Sequence, residues 1–307
     1  GSTRRGLIGK IPSPFMATGQ VEVVILGISQ DGGVPQPGCR CNTCASSIEE
    51  PSRRLHPVSC AIRGIDGSIH LIEATRRLDE QLAMASSVLG LGTSIIPETL
   101  CLTHAHLGHI DGLGQFGKES MGLSGVPLFA SDSVVSLLRG RDSLGPFDSR
   151  IVQPGVPFSP SEGCGFEYTL VQVPHRDEHS DTHAVMVRGG AKRLLFLPDH
   201  DDWGQTLTMA GSKGIREWFS SLEVDVVLLD GTFWDSDELE GRDMADVPHP
   251  TICESLSRLG ERREGDPRIL FIHLNHTNPV LDPKSEQLRR VVSMGWGVAE
   301  QRSVIVL

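Results

Sequence analysis

The stretch His104-Ala-His106-Leu-Gly-His109 decides the fold class, because it places three imidazoles directly after the apolar run Glu98-Thr-Leu-Cys-Leu-Thr103. The run is short and rich in β-forming residues, and the pattern turns helical after it. Neutral imidazole is the commonest protein metal ligand, so three of them at a strand-to-helix junction predict a metal site. Solvated loop histidines are the alternative interpretation.

Other candidate ligands also close strand-like runs. His175 ends the run that starts at Tyr168, Asp199 follows Leu194-Leu-Phe-Leu-Pro198, and His273 follows Ile269-Leu-Phe-Ile272. Strand ends that each present a histidine or an aspartate indicate a site assembled from distant segments.

In chain order these residues resemble the metallo-β-lactamase superfamily, whose pattern is His-x-His-x-Asp-His, a later His, an Asp and a final His. Three further strings resemble the pyrroloquinoline quinone biosynthesis protein B family: Asp31-Gly-Gly-Val-Pro-Gln-Pro-Gly-Cys39-Arg-Cys41-Asn-Thr-Cys44, Asp230-Gly-Thr-Phe-Trp-Asp-Ser-Asp-Glu238 and His273-Leu-Asn-His276-Thr-Asn-Pro279. The cysteine string and the His-x-x-His are also similar to the phosphonate-pathway phosphodiesterase of the same superfamily. The matches run from about Val21 to Pro279.

Alternating strand and helix patterns predict the architecture. The strand candidates are 21–27, 68–74, 99–103, 126–131, 167–173, 183–188, 193–198, 224–230, 268–274 and 303–307, and the helix candidates are 76–88, 110–121, 212–222, 249–259 and 283–292. Continuous apolar strands imply cover on both faces. We therefore predict a four-layer αββα sandwich, which is also the superfamily's fold.

One metallo-β-lactamase-like domain is expected over 21–307, with a structural zinc motif at 39–44. Residues 1–20 are expected to be a flexible N-terminus, in which Gly1-Ser2 resembles the remnant of a cleaved tag.

The resemblance implies a ligand set for the catalytic site. One divalent metal would take His104, His106 and His175, a second would take His109 and His273, and Asp199 would bridge them. Zn²⁺ or Mn²⁺ is expected, with Fe²⁺ as a further possibility. Such a metal lowers the pKa of a bound water from 15.7 to roughly 7 and so provides a hydroxide nucleophile.

Two departures from the related families bear on the reaction and on the number of metals. The quinone-biosynthesis family usually lacks the three-histidine cluster, so its presence favours the hydrolytic branch. The superfamily aspartate before the last histidine of the motif is Gly108 in this chain. Its loss predicts that the second metal position is only partly occupied. Asp111 is the first candidate for a substitute ligand. Gly108→Asp is expected to raise the occupancy of the second metal.

A second metal site is expected at the cysteines. Cys39, Cys41 and Cys44 supply three thiolates, and His276 would be the fourth ligand of a closed, structural zinc site. Because His273 and His276 are three apart, one would reach each site. The seven cysteines include four isolated ones, which are expected to be small buried hydrophobes: Cys60, Cys101, Cys164 and Cys253.

The remaining histidines divide by position. His249 lies 24 residues before His273, where the similar phosphodiesterase carries a histidine that protonates the leaving group; the alternative is a helix-start histidine. His175 is preferred as ligand over His179 and His183, because it closes a strand and matches the motif. Candidate acceptors that orient imidazoles are Asp177, Asp181 and Asp201.

Composition restricts the partners. The net charge of −11 and pI near 5.5, with dispersed Lys and Arg, disfavour nucleic acid and anionic membranes. No run reaches the roughly 20 apolar residues of a membrane span. A small-molecule substrate and a cytoplasmic location are expected, and a homodimer is the candidate assembly.

Three functions remain open. The leading hypothesis is a metal-dependent hydrolase of a small ester, with a phosphodiester first. The alternative implied by the quinone-biosynthesis family is an iron-dependent oxygenase or hydroxylase, for which two histidines and Asp199 would suffice. A scaffold that keeps zinc and has lost catalysis is the third.

Overall fold

In the computed structural model, the described residues are 19–177, 179–238 and 247–307, and they form two sheets. All but the last two residues of the N-terminal segment 1–20 lie outside this range. The strands are β1 (Glu22–Gly27), β2 (Ser59–Arg63), β3 (Ile69–Ile72), β4 (Thr99–Cys101), β5 (Val126–Ala130), β6 (Phe147–Ile151), β7 (Glu167–Val173), β8 (Thr182–Arg188), β9 (Arg193–Leu197), β10 (Val226–Asp230), β11 (Arg268–Ile272), β12 (Gly297–Val298) and β13 (Val304–Val306). The first sheet has the order β13-β1-β2-β3-β4-β5-β6, and the second has the order β12-β11-β10-β9-β8-β7.

Helices cover the outer faces of both sheets. They are α1 (Asn42–Glu49), α2 (Leu78–Val88), α3 (Leu107–Ile110), α4 (Asp132–Gly140), α5 (Trp203–Met209), α6 (Ile215–Ser221), α7 (Ile252–Leu259) and α8 (Glu286–Ser293). The predicted four-layer αββα sandwich is confirmed. Within the described ranges, no helix is both long and apolar enough to cross a bilayer.

Strand β1 illustrates how the layers form. Val23 and Ile25 pack into the core between the sheets, whereas Val24 and Leu26 pack into the layer that includes Leu82 of α2. Because successive side chains of a strand point to opposite faces, an uninterrupted apolar strand is buried on both sides. The sheets therefore meet face to face, each with helices behind it.

The predicted helix 110–121 is wrong. The chain forms the short helix α3 and a separate 3-10 turn at Leu113–Phe116. The interruption falls at Gly112, whose N–H donates to the Ala74 carbonyl at 2.8 Å. A Cβ there would lie 2.2 Å from the Thr75 carbonyl oxygen, so this close approach requires glycine.

Parallel pairing places the candidate residues at one edge. Strands β3, β4 and β5 are parallel in the first sheet, and β9, β10 and β11 are parallel in the second. The carboxyl ends of parallel strands meet at one edge of a sheet, where open α/β proteins bind ligands. The segments after β4, β9 and β11 carry His104, Asp199 and His273.

Candidate metal centre

Six predicted residues converge between the sheets: His104, His106, His109, His175, Asp199 and His273. We call these the histidine cluster. Donor atoms of His104, His106 and His175 lie within 4.8 Å of one another, as do those of His104, His109 and Asp199. His104 Nε2 and His106 Nδ1 are 2.9 Å apart. Donors about 2.1 Å from one ion, at angles of 90–109°, are about 2.9–3.4 Å apart, so this arrangement suits a divalent metal.

Asp199 lies between two groups of histidines. Its Oδ1 is 3.5 Å from His175 Nε2 and 3.4 Å from His273 Nε2, and its Oδ2 is 3.3 Å from His109 Nε2. This carboxylate is therefore placed to bridge two adjacent positions. The first position comprises His104, His106 and His175, and the second comprises His109 and His273.

Several buried donors of the cluster have no hydrogen-bond partner. Among the described residues, His109 Nε2, His273 Nε2 and Asp199 Oδ2 are buried without one. An unpaired buried polar group costs roughly 1–3 kcal/mol, so native proteins seldom retain one without a ligand or water. The convergence of three such atoms fits a metal-binding centre.

Oxygen atoms behind the imidazoles fix the ring orientations. Thr103 Oγ1 lies 2.8 Å from His104 Nδ1, Thr232 Oγ1 lies 2.7 Å from His273 Nδ1, and Asp201 Oδ1 lies 3.2 Å from His175 Nδ1. With Nδ1 engaged in this way, Nε2 faces the cluster. The Asp201 carboxylate thus lies behind the His175 ring, on the side away from the cluster.

Glu73 was missed by the sequence reasoning. It is fully buried, its Oε1 accepts from the Thr103 N–H at 3.2 Å, and it faces His109 Nδ1 at 3.5 Å. Burial raises the pKa of Glu73, and the neighbouring His109 offsets only part of that rise. A carboxylate behind a histidine orients the ring and strengthens it as a ligand. The sequence predicted a strand over 68–74, which placed Glu73 inside the strand, whereas the strand ends at Ile72.

Backbone strain marks two of these residues. Glu73 has φ of 68° and His273 has φ of 59°, in the left-handed region that non-glycine residues rarely adopt. Each follows a strand end directly. Such conformations cost about 1–3 kcal/mol and cluster at functional sites.

The electrostatics of the cluster suit cation binding. Burial and the neighbouring imidazoles lower the pKa of His104 well below its usual range, and burial with His175 lowers that of His106 to about 4. Burial raises the pKa of Asp199, but the imidazoles of His273, His109 and His175 outweigh it and lower the pKa overall. Neutral histidines and an ionised carboxylate are the protonation states that bind metals. His109 differs: burial lowers its pKa, but the carboxylates of Asp199, Glu73 and Asp31 raise it well above its usual range, so a metal would replace a proton there.

His249 adjoins the cluster. Its ring centroid is 5.1 Å from that of His175 and 5.4 Å from that of His273. Its Nδ1 contacts Asp230 Oδ2 at 2.7 Å. Burial lowers the pKa of His249, but Asp230 more than compensates and raises it. This environment favours a protonated ring beside the cluster.

The other histidines have different surroundings. His179 is exposed, His183 Nε2 lies 3.7 Å from Asp181, and His200 Nδ1 lies 2.8 Å from Thr206 Oγ1. The prediction that Asp111 replaces the missing superfamily aspartate is wrong. Asp111 forms an ion pair with Arg76 at 3.0 Å.

Asp31 was also missed as a member of this site. Its Oδ1 lies 3.5 Å from His109 Nε2 and 3.4 Å from His273 Nε2, and donor atoms of the three residues lie within 4.8 Å of one another. Burial raises the pKa of Asp31, but the adjacent His109 and His273 rings lower it well below its usual range. The aspartate that begins the Asp-Gly-Gly string was the available signal.

The cysteines form a second centre, the thiol cluster, which consists of Cys39, Cys41, Cys44 and His276. His276 Nδ1 lies 3.4 Å from both Cys39 Sγ and Cys41 Sγ. Zn–S and Zn–N bonds of about 2.3 and 2.0 Å at a tetrahedral angle place S and N about 3.5 Å apart. The cluster therefore suits a closed tetrahedral zinc site.

Backbone N–H groups surround these sulfurs. Gln36 donates to Cys44 Sγ at 3.3 Å, and Cys41 donates to Cys39 Sγ at 3.4 Å. Burial raises the pKa of Cys44 to about 12. Burial also raises that of Cys41, but the hydrogen bonds from Cys44 and its neighbours lower it overall. The remaining four cysteines are free thiols; Cys60, Cys101 and Cys164 are buried as expected, whereas Cys253 is partly exposed.

The chain is similar to known proteins in sequence and in fold. Residues 97–274 match the β-lactamase superfamily domain. The chain is 29% identical over 318 residues to the coenzyme PQQ synthesis protein B of Methylobacterium sp. (strain 4-46), covering 94% of this chain and all of that protein.

Solved structures agree on the fold. The Zn²⁺-bound PqqB of Methylobacterium extorquens superposes with a TM-score of 0.70 at 22% identity, covering 93% of this chain and all of that one. A diphosphatase from the PhnP family gives a TM-score of 0.66 at 20% identity, covering 94% and 97%.

Proposed function

Because the chain belongs to the β-lactamase superfamily domain family, we propose that it is a metal-dependent hydrolase of a small ester, with a phosphodiester as the first candidate. The observation that carries this proposal is the position of Asp199 between two groups of histidines. Paired metal positions that share a carboxylate are typical of phosphatases and nucleases. The chain also shares its fold with a PhnP-family diphosphatase over nearly all of that protein's length, which supports a phosphate ester as the substrate.

The proposed cofactors follow from the donors. The histidine cluster holds one or two divalent ions, Zn²⁺ or Mn²⁺, because nitrogen and carboxylate donors suit both. The thiol cluster holds one structural Zn²⁺, because four soft donors leave no position open for substrate. When bound in the histidine cluster, a divalent metal makes a nucleophile available from water near neutral pH and polarises the oxygen under attack.

The chain's own groups have distinct tasks. Burial keeps His104 and His106 neutral, so both donate nitrogen lone pairs at pH 7. Thr103 and Thr232 hold two of the rings by their Nδ1 atoms. These contacts preorganise the site, so little reorganisation is needed when the substrate binds.

His249 is the proposed general acid. Its Nδ1 is engaged by Asp230, which leaves Nε2 free to donate a proton to a departing alkoxide. Thr232 Oγ1 lies 3.3 Å from the same Nδ1 and accepts or donates in the same network. Asp230 both orients this ring and favours its protonated form.

The activity is tested by turnover with and without oxygen. Protein loaded separately with Zn²⁺, Mn²⁺ or Fe²⁺ is assayed with bis(4-nitrophenyl) phosphate and with alkyl phosphodiesters, aerobically and anaerobically, while an oxygen electrode records O₂ uptake. We expect equal hydrolysis in both atmospheres. Oxygen consumption that depends on Fe²⁺, without hydrolysis, would overturn the hydrolase assignment in favour of the oxygenase.

The role of His249 is tested by its leaving-group dependence. His249→Asn should slow hydrolysis of alkyl diesters by about 100-fold, but should affect nitrophenyl diesters little because nitrophenolate leaves without a proton. The matched control is His179→Ala, which removes an exposed histidine. An equal loss on both substrate types would exclude general-acid catalysis by His249.

A further inference from the structure

Gly108 lies on helix α3 beside the second metal position, which comprises His109 and His273. As a glycine it offers no ligand to that position. The superfamily motif has an aspartate at this place, and without it the second position keeps His109, His273 and the shared Asp199. Two histidines and a shared carboxylate form a sparse ligand set for a divalent ion.

The space beside Gly108 is filled from another segment. An ideal Cβ built on Gly108 would lie 2.1 Å from Asp31 Cγ, 2.2 Å from its Oδ1 and 2.5 Å from its Cβ. Atoms at such distances overlap completely, so the Asp31 carboxylate occupies the volume that a side chain at 108 would take. A side chain at 108 would therefore have to displace Asp31 from this position.

The carboxylate of Asp31 is aimed at the second position. Its Oδ1 is nearly equidistant from His109 Nε2 and His273 Nε2, at 3.5 and 3.4 Å. Both nitrogen atoms lack another hydrogen-bond partner within the described chain. The three donors are thus spaced as ligands of one ion are spaced.

Backbone hydrogen bonds fix where Asp31 lies. The Gln30 N–H donates to the Leu274 carbonyl at 3.0 Å, and the Leu274 N–H donates to the Ile28 carbonyl at 2.8 Å. The loop after β1 is therefore paired with the residue that follows His273. The turn closes at Gly33, whose N–H donates to the Gln30 carbonyl at 2.9 Å with φ of 72°.

We propose that Asp31 supplies the carboxylate ligand of the second metal position, in place of the aspartate that Gly108 lacks. The carboxylate would then come from the loop after β1 rather than from helix α3. Asp31 lies outside residues 97–274, which match the superfamily domain. This inference rests on the metal binding proposed above, and it concerns one ligand rather than the reaction.

Exchanging the two residues tests the proposal. Four variants are titrated as metal-free protein with Zn²⁺ and with Co²⁺ against a chelator of known affinity: Asp31→Asn, Asp31→Gly, Gly108→Asp, and the double exchange Asp31→Gly/Gly108→Asp. Wild type should bind two ions in the histidine cluster. Asp31→Asn and Asp31→Gly should weaken the second ion at least about 100-fold and leave the first unchanged.

The double exchange should restore most of the affinity, since it returns the carboxylate to helix α3 and removes the overlapping Asp31 Cβ. The sequence predicted that Gly108→Asp alone would raise occupancy, but in the structure the new side chain would overlap Asp31, so this variant should bind the second ion more weakly than wild type. Asp31→Asn keeps the volume of the native side chain, so its result stands even if Asp31→Gly unfolds. Unchanged affinity for both ions in Asp31→Asn would overturn the assignment.

Metal titration separates this inference from the proposed reaction. If wild type binds two ions in a way that depends on Asp31 and hydrolyses no ester, the hydrolase assignment fails and the ligand assignment stands. If the protein hydrolyses phosphodiesters and Asp31→Asn binds both ions normally, the reverse holds.

Discussion

His273 and His276 face two different centres from one turn of chain: His273 Nε2 lies 3.4 Å from Asp199 Oδ1, and His276 Nδ1 lies 3.4 Å from Cys41 Sγ. The loop that carries Asp31 ends at Cys39, so it also joins the two centres. Two segments therefore connect the histidine cluster to the thiol cluster.

Loss of the thiol cluster should therefore affect metal binding in the histidine cluster as well as the zinc that the thiol cluster holds. Cys41→Ser is expected to remove one Zn²⁺ and at least about 2 kcal/mol of stability, or roughly 3 °C in melting temperature for a chain of this length, because a closed site contributes folding free energy directly. It should also weaken the second ion of the histidine cluster, since both connecting segments lose their anchor. Calorimetry and elemental analysis measure these effects.

Cys253→Ser is the matched control for this prediction, because Cys253 is a free thiol outside the thiol cluster. Wild-type zinc content and melting temperature in Cys41→Ser would exclude a structural metal there.

His104→Ala and His106→Ala should remove the first ion and lower kcat/KM at least about 100-fold while the fold is retained. Both residues belong to the segment between β4 and α3 rather than to a sheet, and both present nitrogen atoms to the cluster. Circular dichroism checks the fold, and metal analysis checks the ion. Variants that keep full metal content and turnover would show that the active site lies elsewhere.

Thr232→Val should weaken the second position without removing a ligand. The hydroxyl of Thr232 holds His273 Nδ1 at 2.7 Å, and loss of such an orienting contact typically costs 10–100-fold in metal affinity. Thr206→Val is the control, because Thr206 is equally buried and holds His200 in the same manner. Equal effects of the two substitutions on Zn²⁺ affinity would mean that general destabilisation, not ring orientation, is responsible.

The sequence predicted the histidine cluster better than its carboxylates. His104, His175, Asp199 and His273 each close a strand, and strand ends can be located from apolar runs. Asp31 lies in a turn, four residues after β1, and its approach to Gly108 depends on backbone pairing with Leu274 that no local pattern encodes. Glu73 was missed for the same reason, because its approach to His109 Nδ1 brings together two separate segments of the chain.

The missed secondary structure has similar causes. Strand β2 contains Ala61, which has low β propensity, and it is held as a strand by pairing with β1 and β3. Helix α4 had a readable start in Ser131, whose side chain accepts from the Val134 N–H. Local propensity was thus insufficient for β2, whereas the α4 signal was present and overlooked.

His70 should make stability depend on pH in mildly acidic solution. It is fully buried between Ser68 Oγ at 2.7 Å and Thr99 Oγ1 at 2.9 Å, and burial lowers its pKa from 6.5 to about 4. Between these values the unfolded chain binds the proton and the folded chain does not, so stability falls as pH falls through this window. The shift corresponds to about 2 kcal/mol between pH 7 and pH 5.

His70→Gln removes this titration while keeping a polar side chain between the two hydroxyls. The variant should be less stable than wild type at pH 7, and this difference should shrink by about 2 kcal/mol at pH 5, because only wild type loses stability through protonation of His70 in the unfolded state. Urea unfolding at both pH values measures the double difference, in which every other titrating group cancels. A gap that stays constant between pH 7 and pH 5 would show that His70 titrates normally in the folded protein.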